Sequence, residues 1–176
     1  MLRRLALTLA LLLGTQAHAV DLATPFESID GGTLSIDQWA GQPVLVVNTA
    51  SRCGYTPQYS GLQKLYDRYR DRGLVVLAVP SNDFRQELAS EAEVKDFCEV
   101  QFGLDIPMTT ITHVRGPDTH PFYASLRAEA GFTPRWNFNK VLIGPEGEVV
   151  ETYGSRTDPL SRSITTQIEA LLPADS

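Results

Sequence analysis

The stretch Pro43-Val-Leu-Val-Val-Asn-Thr-Ala-Ser-Arg-Cys-Gly-Tyr-Thr-Pro57 decides the fold. Its first half, Pro43 to Asn48, is a short apolar run rich in β-branched residues, the pattern of an interior parallel strand. Its end, Thr56-Pro57, reads as a helix N-cap and first helical position. Tyr59, Leu62, Leu65, Tyr66 and Tyr69 then recur at three- and four-residue steps, the buried stripe of an amphipathic helix. Cys53 therefore falls at the carboxyl end of a strand, just ahead of a helix N-terminus. In open α/β sheets ligands bind at that edge, and the positive end of a helix dipole favours a thiolate.

Outward from this stretch the pattern stays regular. The first helix ends at Asp71-Arg-Gly73, with Gly73 as its cap. Residues 74–79 form a second core strand, and strand, helix and strand with short connections make a right-handed βαβ unit. The polar loop 81–88 leaves the second strand on the same edge as Cys53. Ser90 and Glu93 form a capping box for a helix running to about Phe102, with Val94, Phe97 and Cys98 on its apolar stripe. Upstream, 26–29 and 33–36 read as a hairpin around Gly31-Gly32. Downstream come an extended piece at 110–114, a helix at 121–130, and strands at 141–143 and 148–153 joined by Pro145-Glu-Gly147 as an antiparallel hairpin. Asp158-Pro159 is expected to cap a last helix, with Leu160, Ile164, Ile168 and Leu171 inward. The class is α/β, a central mixed sheet flanked by helices, without repeats, low-complexity tracts or interdomain linkers.

The chain has 176 residues and is 43% apolar, enough for one domain with a proper core, expected over 20–176. Residues 1–19 stand apart. Arg3 and Arg4 precede an apolar run from Leu5 to Leu13, and Ala17-His18-Ala19 fits a cleavage site. A membrane span needs about 20 apolar residues, so the expectation is a cleaved signal peptide and no stable membrane anchor. The product would be exported, periplasmic or secreted. Without Arg3 and Arg4 the mature chain carries 13 basic against 21 acidic residues, a net −8. That balance, with no Lys/Arg cluster, excludes nucleic acid as a partner held by net field.

Cys53 is one of two cysteines, and the fourth position of a Cys-x-x-Cys pair is taken by Thr56. Taken alone, it could be a buried structural cysteine or half of a structural disulfide in an exported protein. Its strand–Arg–Cys–Gly–helix setting favours chemistry instead. A thiolate that attacks a peroxide O–O bond needs donors for the developing charge on the leaving oxygen, and that oxygen must then gain a proton. Trp136 offers an indole N–H, and Gln86 and Asn137 offer amide donors. Singly, Trp136 reads as a core aromatic, and Gln86 and Asn137 as loop or cap residues. His18, His113 and His120 lack metal-ligand spacing, so no metal and no cofactor are expected.

Together these residues resemble the glutathione peroxidase family. Asn48-Thr-Ala-Ser-Arg-Cys-Gly-Tyr-Thr is similar to its first signature, with cysteine where some members carry selenocysteine. Pro80-Ser-Asn-Asp-Phe-Arg-Gln-Glu is similar to its second, and Trp136-Asn-Phe-Asn-Lys140 to its third. The resemblance covers nearly the whole mature chain. It implies a thioredoxin-like fold and an antioxidant thiol peroxidase with a Cys53, Gln86, Trp136, Asn137 tetrad, reducing hydrogen peroxide and organic hydroperoxides. Two departures stand out. Arg85 alone separates Phe84 from Gln86 where the family usually has two glycines, and Leu88 replaces a proline. The region from His120 to Trp136 is short, like that of the small, monomer-prone branch.

Cys98 aligns with the resolving cysteine of the thioredoxin-dependent branch. The resemblance thus implies a Cys53 sulfenic acid that condenses with Cys98. A thioredoxin-type protein or glutathione would then reduce the disulfide. Without the resemblance, Cys98 reads as a core cysteine on the Val94/Phe97 face. Two other functions stay open at this point: an exported thiol–disulfide oxidoreductase, and a non-enzymatic protein with a structural Cys53–Cys98 bridge.

Overall fold

The computed structural model describes residues 20–174. The leader expected at 1–19 lies outside the described residues. Ten elements follow in order: β1 (Phe26–Glu27), β2 (Thr33–Leu34), β3 (Val44–Thr49), α1 (Gln58–Tyr69), β4 (Val75–Pro80), α2 (Glu91–Phe102), α3 (Pro121–Ala130), β5 (Lys140–Ile143), β6 (Val149–Tyr153) and α4 (Arg162–Leu171).

The main sheet has the order β4-β3-β5-β6. β3 pairs in parallel with β4, Val44 opposite Val75 through Thr49 opposite Pro80, and antiparallel with β5, Val44 opposite Ile143. β5 and β6 form the expected antiparallel hairpin, with a register irregularity at Leu142/Ile143. All six residues of β3 and of β4 are buried. The continuous apolar runs follow from that burial, because side chains alternate between two covered faces.

Leu45 and Val47 of β3 point to one face, under Tyr59, Leu62 and Leu65 of α1, Val94 and Cys98 of α2, and Ile164 and Ile168 of α4. Val44 and Val46 point to the other, under Phe122, Tyr123 and Leu126 of α3, together with Phe26 and Ile36 near the small hairpin. The sheet is therefore filled from both sides, and its two cores account for most of the buried apolar surface.

Some boundaries differ from the sequence reading, each for a local reason. α1 begins at Gln58 with Pro57 at the cap position, and no side chain caps it. Thr56 is used elsewhere: its hydroxyl accepts the Cys53 N–H at 3.0 Å and donates to the Ala50 carbonyl at 2.9 Å. Past α1 a 3₁₀ turn over Arg70–Arg72 reaches Gly73, whose φ of 105° makes it the left-handed stop that was expected. The capping box of Ser90 and Glu93 is present on α2. The extended piece expected at 110–114 belongs to no named strand. Single hydrogen bonds tie it to the small hairpin, Thr110 N–H to the Glu27 carbonyl, and to β4 of the main sheet, Thr112 N–H to the Pro80 carbonyl, both 2.8 Å. α4 starts after Ser161, because Asp158 turns back to accept the Leu160 N–H at 2.8 Å instead of capping the helix.

Candidate active site

The carboxyl ends of β3 and β4 open on one edge, and two loops leave from it. The first, 50–57, carries Cys53. It is closed by Thr56, whose hydroxyl bridges the Cys53 amide and the Ala50 carbonyl. The Tyr55 N–H donates to Cys53 Sγ at 3.4 Å, so a backbone dipole points at the sulfur from within the turn. Cys53 is 8% exposed, at the rim of the core rather than inside it.

The second loop, 81–90, carries Gln86. Two hydrogen bonds lay it on the first loop. The Arg52 N–H donates to the Gln86 carbonyl at 2.8 Å, and the Ser51 N–H to Glu87 Oε1 at 3.0 Å. At the far side of this loop Asp83 accepts the N–H groups of Val114 and Arg115 at 2.7 and 3.0 Å and meets His113 Nδ1 at 2.7 Å. The Asp83 carboxylate raises the His113 pKa above its ordinary value.

A third segment, 136–139, arrives from the chain ahead of β5, and Asn48 at the end of β3 seizes it. The Asn48 side chain donates to the Trp136 carbonyl at 3.0 Å and accepts the Asn139 N–H at 3.1 Å. The Asn48 carbonyl takes the Phe138 N–H. Phe138 sits at φ 61°, a left-handed conformation for a bulky residue, and two flanking anchors hold it there. Lys140 Nζ donates to the Phe138 carbonyl and to Gln58 Oε1, each at 2.8 Å. Ser155 Oγ donates to the Asn137 carbonyl at 2.6 Å and accepts from Asn139 Nδ2 at 2.7 Å. Lys140 is fully buried, and burial pulls its pKa down to about 8.

These three segments bring Gln86 and Asn137 into contact: Asn137 Nδ2 donates to Gln86 Oε1 at 2.9 Å. Asn137 is fully buried and its Oδ1 has no partner. Trp136 is 41% exposed and packs on Phe84 with ring centroids 5.3 Å apart, and the Arg115 guanidinium lies 5.3 Å from the Phe84 ring on the loop's outer side. In this arrangement the two amides bond to each other and the sulfur is held by the Tyr55 N–H. Phe84 and Trp136 pack ring against ring next to Gln86 and Asn137 in sequence, and the Cys53 loop is hydrogen-bonded to the Gln86 loop.

Cys98 lies on the inward face of α2, 1% exposed, and is a free thiol, as is Cys53. Cys53 and Cys98 are not bridged to each other in this structure. Burial pushes the Cys98 thiol up to about 11, with the Tyr59 hydroxyl working the other way.

Several supporting residues carried no mark of their role in the sequence. Asn48, Thr56, Lys140 and Ser155 act largely through backbone groups; the first three stand in the signatures, but their positioning roles were not marked there, and Ser155 stands in none. Glu87 is a buried carboxylate that no local pattern marks.

The glutathione peroxidase family profile matches residues 22–127. A glutathione peroxidase of Lactococcus lactis is 41% identical over 136 residues, 74% of this chain and 87% of that protein. A hydroperoxy fatty acid reductase of Synechocystis is 40% identical over 156 residues, 82% of this chain and 91% of that protein. Among solved structures, GPX1 of T. cruzi superposes with a TM-score of 0.65 at 29% identity, covering 84% of this chain and 93% of its own. The thioredoxin domain of a Bacteroides vulgatus thiol-disulfide oxidoreductase superposes with a TM-score of 0.58 at 16% identity, covering 87% and 97%. The last likeness is one of fold, and it shows the expected thioredoxin-like architecture.

Proposed function

The chain belongs to the glutathione peroxidase family and is a thiol peroxidase, and on that premise we propose that Cys53 is the sulfur that reduces the hydroperoxide. The thiolate attacks the terminal peroxide oxygen. An S–O bond forms, the O–O bond breaks, and the leaving alkoxide or hydroxide takes a proton to become alcohol or water. Cys53 is left as a sulfenic acid. Gln86, Asn137 and Trp136 supply neutral N–H donors for the charge that develops on the leaving oxygen. The observation that carries this reading is the Gln86–Asn137 hydrogen bond at 2.9 Å on a loop that is itself bonded to the residue before Cys53. Stopped-flow peroxide reduction by the Cys53→Ser variant tests it.

In the same reading Cys98 resolves the sulfenic acid. Its thiol sulfur displaces the hydroxyl, an S–S bond replaces the S–O bond, and water leaves with the thiol proton. A free, buried thiol with its pKa at about 11 does not compete with Cys53 for peroxide at neutral pH. Both sulfurs belong to one core cluster, and the bond forms when their Cα atoms come within roughly 4.4–6.8 Å.

A thioredoxin-type dithiol then reduces the bridge faster than glutathione does. Its second thiol attacks intramolecularly, whereas glutathione needs two encounters. Glutathione is also anionic, and the mature chain carries a net −8. Export after cleavage behind Ala19, function as a monomer in the periplasm or outside the cell, and the absence of a membrane anchor complete the proposal. Among the described residues, no helix is long and apolar enough to cross a membrane. Intact mass and sedimentation of exported protein test these points: a monomer beginning at Val20 is expected, and a product retaining Met1 contradicts export.

A further inference from the structure

We propose that Glu87 is a positioning residue that holds Gln86 in the site against the backbone strain of Arg85. The inference deepens the reading of Gln86 given above and rests on it.

Arg85 sits at φ 58°, left-handed, without being glycine. Its Cβ makes that conformation unfavourable. The turn is closed by the Arg85 N–H to the Asn82 carbonyl at 2.8 Å, but the Arg85 side chain is exposed and offers no packing that would hold it. Left to itself this loop would relax, and rotation at Arg85 would swing the next residue, Gln86, away from Asn137.

Glu87 opposes that relaxation. Its side chain is buried, 6% exposed. Oε1 accepts two backbone N–H groups, Ser51 at 3.0 Å and Leu88 at 2.8 Å, and the Glu87 N–H donates to Asn82 Oδ1 at 3.2 Å. Gln86 and Glu87 thus engage Arg52 and Ser51, the two residues immediately before Cys53. Hydrogen bonds to an ionised carboxylate are about twice as strong as neutral ones.

Stability alone does not account for a carboxylate here. Oε2 is buried without a hydrogen-bond partner, and burial raises the Glu87 pKa. Arg52 of the Cys53 loop is the cation near it, and Tyr59 of α1 and Cys98 of α2 are the other titratable groups that feel its charge. A hydrophobic residue of the same size would fill this place at less cost, but it would leave the Ser51 and Leu88 N–H groups without acceptors.

The test measures the second-order rate constant of Cys53 with hydrogen peroxide in Glu87→Gln, Gln86→Ala, Arg85→Gly and the Arg85→Gly/Glu87→Gln double variant. Gln keeps a neutral acceptor at Oε1 but loses the charge assistance on both N–H bonds, so it weakens the anchor without removing it, and urea midpoints check that folding is retained. Glu87→Gln is expected to slow the reaction about tenfold, the scale of a sub-ångström misplacement. Relieving the strain with Arg85→Gly in that background is expected to restore most of the rate. A purely packing role for Glu87 predicts no such restoration. A slowed Gln86→Ala beside an unaffected Glu87→Gln overturns this inference alone, as does a slow double variant. A Gln86→Ala rate equal to wild type overturns the Gln86 reading and this inference with it.

Discussion

Gln86 Oε1 accepts a hydrogen bond from Asn137 Nδ2 at 2.9 Å, although the two residues lie 51 positions apart and on separate loops. The pair makes a single donor surface, each amide orienting the other. Gln86→Ala and Asn137→Ala should therefore each slow peroxide reduction by roughly a hundredfold, the usual effect of losing one oxyanion-type donor. Because each variant also releases its partner, the double variant should be slower by much less than the product of the two effects. Trp136→Phe, which keeps the packing on Phe84 and removes the indole N–H, should show a loss of similar size. Second-order rate constants for the four variants check this, and fully multiplicative effects would show that the amides act independently.

The fold and the candidate site were legible at different levels of the sequence. The six-residue β3 and β4 announce themselves as unbroken apolar runs, because both faces of the sheet are covered. The α1 stripe of Tyr59, Leu62, Leu65 and Tyr69 follows from helical periodicity in the same way. The site was legible only as a set of signatures, since Trp136 or Gln86 alone says nothing. What holds those residues in place stayed hidden. Thr56 looked like a helix cap and instead closes the Cys53 turn. The left-handed positions fall on Arg85 and Phe138, where no glycine signals them. Lys140 closes the third signature, and nothing in that signature shows that it is fully buried. Such contacts join single side chains to backbone groups, some only two to six residues away, and periodicity carries no record of them.

Lys140 gives a prediction about stability. Its folded-state pKa of about 8 lies below the ordinary lysine value of 10.5. Between these limits the unfolded chain holds the proton and the folded chain does not, so this group's contribution to stability rises with pH across that window. Below pH 8 the cost of burying the cation is fully present. The shift corresponds to about 3 kcal/mol. Urea unfolding of wild type and Lys140→Met at pH 7.5 and pH 10 isolates the effect, because the raised tyrosine and Cys98 groups cancel between the two proteins. Wild type should gain on the variant by about 2–3 kcal/mol over that interval. Parallel pH profiles would show that Lys140 is not buried as a cation.

Cys98 gives a prediction about electron supply. Wild type treated with equimolar peroxide should lose the mass of two protons and yield one Cys53–Cys98 peptide link. Cys98→Ser should stop at the sulfenic acid and lose turnover supported by thioredoxin. Full thioredoxin-supported turnover in that variant would return Cys98 to a packing role.

The reaction of Cys53 with peroxide is the most direct test of the account. In single-turnover stopped flow, Cys53→Ser should consume no hydrogen peroxide above buffer, while keeping the wild-type fold by circular dichroism and urea midpoint. The wild-type protein should form one sulfenic acid, located at Cys53 by trapping and mass spectrometry. A folded Cys53→Ser protein that reduces peroxide at a rate near wild type would contradict the assignment of the active site.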